Sequence, residues 1–183
     1  SKLGDRAATM HQFLGKELTF STALSSLDTV LVQPLLGASR GEALETAVSK
    51  HQAHHISLEM QSTDTQTYLR SAEALTLGVK EFVEEFNNEL VARRWSEETC
   101  IGFMLVSPHL QALYAHYEAY GKCMLPFLRI LKGPSFASFY KKCENLLPMF
   151  PGETLAEKLE VPRNRPAGYL FFLESLLDCT VST

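Results

Sequence analysis

Glu17 is the first residue in this chain whose chemistry does not suit its surroundings. It follows Phe13 by four positions and precedes Phe20 by three, which puts a carboxylate on the apolar stripe of a helix. Two readings are open. Either the stripe frays there and the acid is solvated, or the acid sits at the rim of the core and is presented to a partner. Near the other end, PRNRPAGYLFFLESLLDCT opens on Pro162 and Pro166 and carries a broad apolar helix face.

The remaining candidates point to no reaction. His51 and His55 are spaced to share a metal, but no third ligand and no H-E-x-x-H motif accompanies them, so a solvated polar face explains them better. The four cysteines, Cys100, Cys123, Cys143 and Cys179, form no C-x-x-C pair and read as thiols packed like small hydrophobes. Tyr114, Tyr117 and Tyr120 fall at helical spacing, which suits aromatics at the edge of a core rather than a nucleotide-stacking platform. A glycine-rich phosphate loop and a nucleophile elbow are both missing, and no pair of carboxylates stands out from the wet helix faces. No metal and no cofactor is therefore expected. An all-helical chain without a catalytic constellation is usually an interaction module.

The elements that must position these residues are legible from periodicity. Phe13, Phe20, Leu24, Leu27 and Leu31 predict a long helix over residues 10 to 36, stopping at Gln33-Pro34 or shortly after. A break at GASRG precedes weakly helical residues 42 to 60. Leu75, Val79, Phe82, Phe86 and Leu90 predict a second long helix over 66 to 94, with Lys80, Glu81, Glu84 and Glu85 on its wet side. Arg93-Arg94 at its end suits the helix dipole. Ser96 reads as the N-cap of a short helix to about Val106. Ser107-Pro108 opens another, in which Pro126 should kink or end the helix. A short amphipathic helix follows around Phe136 to Leu147, and then a brief helical turn from Glu153 to Leu159.

The last helix carries Tyr169, Phe172, Leu173, Leu176, Leu177 and Thr180 on one face and belongs in the middle of a core. Pro162 and Pro166 punctuate its start, with Pro166 in the first turn. No stretch alternates as a strand does. The expected fold is an all-α bundle of about six to eight helices in one domain.

Composition sets the class. The chain has 183 residues, 45% apolar and 21% charged, with a formal net charge of −4. That balance is ordinary for a soluble globular domain and argues against non-specific nucleic-acid binding. No apolar run approaches the roughly 20 residues that span a bilayer, so direct membrane insertion is not expected. The N-terminus shows no signal-peptide pattern, and the chain reads as cytoplasmic.

Two segments together resemble the Dbl-homology domain, the helical module of Rho-family guanine nucleotide exchange factors. In ELTFSTALSSLDTVLVQPL, Glu17, Phe20, Leu24, Leu27, Leu31, Pro34 and Leu35 match the family's first motif without a gap. Pro162, Asn164, Arg165, Tyr169, Phe171, Phe172, Leu173, Leu176, Leu177 and Thr180 match its last motif in register. Pro108 to Leu128 is similar to the family's tyrosine-rich central helix, and Leu75 to Trp95 suits the helix before it.

The resemblance implies an elongated helical bundle, C-terminally truncated and excised from a longer protein. It implies that the first and last motif helices pack side by side to grip the switch segments of a Rho-, Rac- or Cdc42-type GTPase. Glu17 would be the catalytic residue, accepting hydrogen bonds from the first switch and opening it. Phe20, Glu160, Asn164, Arg165 and Gly168 would contact the GTPase. The sequence departs from the family at four places in this motif. Gly168 replaces a lysine or arginine, Asn164 a glutamine, Glu160 a hydrophobic residue, and Pro166 an aliphatic one. The alternative is a catalytically weak Dbl-like scaffold that binds a GTPase or another protein. Members of the family commonly carry a Pleckstrin-type domain next, where lipid recognition and recruitment to membranes or the cytoskeleton would reside.

Overall fold

A computed structural model describes residues 2–45, 49–92 and 107–179. Every regular element among them is helical. The expected cap at Ser96, its short helix, Arg93-Arg94 and Thr180 fall outside these residues.

Helix α1 (Lys2–Leu27) begins earlier than its stripe suggests and passes through one π turn (Asp28–Val32) into α2 (Gln33–Ser39). Pro34 therefore does not end the rod. The Gln33 N–H bonds to Asp28 O, five residues back, and this wider turn makes room for the proline ring. Pro34 has no N–H to offer Val30 O. The Cys143 thiol comes within 3.8 Å of that carbonyl instead. Gly41, with φ of 89°, turns the chain after α2, in a conformation a side chain would disfavour.

Helix α3 (Lys50–Met60) is capped by Ser49, whose hydroxyl accepts the Gln52 N–H at 3.1 Å. The longest helix, α4 (Thr63–Ala92), pairs most extensively with α5 (Pro108–Leu131). Gly78 permits their close approach, because a Cβ there would lie 2.7 Å from the His116 ring. Pro126 lies inside α5 without ending it. A 3-10 turn (Pro134–Phe136) and α6 (Ala137–Leu146) lead to α7 (Leu155–Asp178).

Helix α7 corrects the expected start of the last helix. The brief turn and the final helix are one rod, with Pro162 and Pro166 in its interior. What starts it is Thr154, whose hydroxyl accepts the Glu157 N–H while Glu157 accepts the Thr154 N–H, a reciprocal capping box. Each interior proline removes a backbone hydrogen bond, so tertiary contacts must hold this segment. Leu159 and Pro162 are buried, and Leu159 O receives the Tyr120 hydroxyl at 3.1 Å. Tyr120 in turn accepts from Tyr68 at 3.2 Å, so α4, α5 and α7 share one buried polar chain.

The outer half of α7 also departs from expectation. Tyr169 and Leu176 are buried, but Leu177, assigned to the same stripe, is 72% exposed. The core is one buried cluster drawn from every helix, including Leu35 of α2, Ile56 of α3, Phe139 of α6 and Leu159 of α7. No helix among the described residues is long and apolar enough to cross a membrane.

Candidate functional site

Helices α1 and α7 lie against each other, and the seam between them brings Arg165 and Tyr169 onto Glu17. Glu17 projects from the side of α1 that also buries Met10, Phe13 and Phe20. Its exposure is 0%. The expectation of an acid at an open rim is thus corrected. The carboxylate is inside the protein, where a charge persists only if it is paired and hydrogen-bonded.

The pairing is complete on both oxygens. Oε1 receives Arg165 Nη2 in an ion pair, and Oε2 receives the Tyr169 hydroxyl at 2.8 Å. The Tyr169 oxygen also lies 3.2 Å from that of Tyr117 on α5. Aromatic rings from three helices close the space around Tyr169. Phe13, Phe82, Tyr114 and Tyr117 all meet its ring edge-on. Burial first, with the neighbouring charge of Glu17 adding to it, holds the phenolic protons of Tyr117 and Tyr169 well above their ordinary range. Tyr169 therefore stays a donor to Glu17 at any physiological pH.

Arg165 is the one member with access to solvent, its side chain being 23% exposed. Its guanidinium lies 4.9 Å from the centre of the Phe20 ring, a cation–π contact. A groove of about 380 Å³ borders it, lined by Gln12, Lys16, Gly168 and Phe171 and reaching Glu17. Another of about 440 Å³ also borders it, lined by Gly15, Thr19, Phe20 and Val161.

The remaining residues named from sequence are scattered around this centre. Phe20 is buried beneath Arg165 rather than exposed for contact. Asn164 is exposed on α7. Glu160 binds Arg163 at 3.1 Å on the surface of the same helix. Gly168 is exposed on the seam, and a Cβ built there would meet nothing within 4 Å.

Spacing casts Tyr169 and Tyr117 only as packing residues and misses the roles of their hydroxyls. A tyrosine instead of phenylalanine on a buried stripe is the signal, since its hydroxyl must find a partner. Elsewhere, the His51 and His55 rings lie 4.6 Å apart on α3, and no group of three metal-ligating side chains occurs among the described residues. Burial pushes the Cys143 thiol up to about 12. Tyr117 and Tyr120 are core residues, while Tyr114 is partly open at the edge.

The arrangement can offer a carboxylate to an incoming N–H or cation once Arg165 is displaced. It offers no nucleophile, no acid–base pair and no metal cage among the described residues. Comparison with family models, with curated proteins and with solved structures returned no match.

Proposed function

We propose that this chain is a Dbl-homology-like helical module that binds a Rho-family small GTPase at the α1–α7 seam and promotes its GDP release by remodelling the switch regions. The observation that carries this reading is the meeting of the two motif segments, residue against residue, through Glu17, Arg165 and Tyr169. In the exchange mechanism that the resemblance implies, the first switch donates to Glu17. The module binds the nucleotide-free GTPase best and so weakens nucleotide affinity by linkage. Exposed Phe171, Leu170 and Leu177 on α7 supply apolar area for an interface of roughly 1,600 Å² or more.

The burial of Glu17 favours a second reading, a scaffold that binds the GTPase and exchanges little. Two measurements on one panel of Rho-, Rac- and Cdc42-type GTPases separate the readings. Accelerated release of fluorescent GDP, lost in Glu17→Gln, supports the first. Capture of nucleotide-free GTPase without accelerated release supports the second. If no member of the panel is released or captured, both readings fail.

A further inference from the structure

We infer that Arg165 is a displaceable gate over Glu17: in the free protein it occupies the carboxylate oxygen that a partner's donor takes in the complex. This rests on the reading of the α1–α7 seam as the docking face and adds the chemistry of the partner's contact.

The members of the Glu17 cluster differ in freedom to move. Tyr169 is 5% exposed, its hydroxyl is shared between Glu17 and Tyr117, and four aromatic rings hold it. Arg165 alone reaches solvent, on a long side chain resting on the Phe20 ring. It also stands between the two grooves. Gln12, Lys16 and Arg165 line both, so together they form the partition. Swinging the guanidinium outward removes one of the three side chains of that partition and uncovers Oε1 of Glu17, which lines the smaller groove.

The space for that movement is present. A Cβ on Gly15 or on Gly168 would meet nothing within 4 Å, so neither helix crowds the grooves. Displacement also conserves the bonding of Glu17. Oε2 keeps Tyr169 throughout, and Oε1 exchanges one cationic donor for another N–H donor. The partner contact is therefore a guanidinium, an ammonium or backbone N–H groups directed at Oε1. The freed Arg165 and Lys16, which has no ion pair among the described residues, then face the partner together and call for a carboxylate on it.

The gate differs from a permanent brace in how Glu17 becomes reachable. Carbodiimide-driven amide coupling at Glu17, followed by peptide mass spectrometry, reads this in the free protein. Displacing one side chain exposes little surface, so coupling in the wild type should proceed without denaturant and change little with sub-denaturing urea. Arg165→Gln should raise coupling several-fold with the fold intact, and Arg165→Lys, which keeps the cation, should restore part of the protection. Coupling that follows the urea dependence of global unfolding, or that Arg165→Gln leaves unchanged, overturns the gate, whatever the GTPases do. If Glu17 is uncovered in the coupling assay and no GTPase is captured, the proposed function falls and the gate stands.

Discussion

Replacing Tyr169 by phenylalanine removes one oxygen and keeps the ring packing, so its effect measures the hydrogen bonds alone. The hydroxyl donates to a buried carboxylate at 2.8 Å and lies 3.2 Å from the Tyr117 hydroxyl. A hydrogen bond to a charged group contributes about 1.5–3 kcal/mol, and leaving a buried partner unsatisfied costs about 1–3 kcal/mol more. These terms overlap, so we expect Tyr169→Phe to lower stability by about 2–4 kcal/mol. Tyr117→Phe loses only the neutral contact and should cost about 0.5–1.5 kcal/mol. Urea denaturation followed by far-ultraviolet circular dichroism reads both, with an unchanged m-value as the condition for comparing them. In a Glu17→Gln background the cost of Tyr169→Phe should shrink to about 1 kcal/mol, because the acceptor is then neutral. Equal costs for the two tyrosines, or a Tyr169→Phe cost that does not shrink in the Glu17→Gln background, would refute the reasoning that a buried charge is the acceptor.

Other consequences follow from the same structure. Glu17→Ala, which a solvated acid would tolerate with stability nearly unchanged, should cost about 3 kcal/mol, read as a fall in thermal midpoint, because it strands Tyr169 and Arg165. Thr154→Ala removes half of the capping box of α7 and should cost about 1 kcal/mol in the same assay. Gly168→Ala places a methyl in open space on an exposed helix position and should stabilise by about 0.5–1 kcal/mol. The fold should also weaken in alkali. Burial raises the phenolic pKa values of Tyr68, Tyr117, Tyr120 and Tyr169, so above about pH 10 the unfolded chain releases protons the folded one keeps. Stability is then full below that pH and falls above it by roughly 1.4 kcal/mol per pH unit for each such tyrosine, and a urea midpoint that stays flat from about pH 9 to 11 contradicts this.

Much of the scaffold is legible in the sequence because helical periodicity is a local property. Leu24, Leu27 and Leu31 are buried where their spacing puts them, as are Val79, Phe82 and Phe86. Where local rules mislead, a wider context overrides them. Those rules make prolines helix boundaries, yet Pro34, Pro126, Pro162 and Pro166 all lie within helical segments. A π turn accommodates the first. Around Pro162, burial of the α7 segment and the Tyr120 bond to Leu159 O hold the rod together. The capping box at Thr154 and Glu157 is visible in the sequence, and it marks the start of α7 better than the prolines do.

The candidate site divides in the same way. Its charged residues are evident before folding, the acid from its place on an apolar stripe and the arginine from the motif resemblance. Their state is not. Whether Glu17 faces water or the core depends on Arg165 and Tyr169, which are 148 and 152 residues away along the chain. The sequence by itself determined an all-α chain and which side of most helices is apolar, since both follow from the 3.6-residue repeat. Only the tertiary structure decided that α7 runs unbroken through Pro162 and Pro166, that Leu177 stays in water, and that Glu17 is closed off beneath Arg165. Those outcomes depend on which helices become neighbours, and a hydrogen bond between distant residues leaves no period in the sequence.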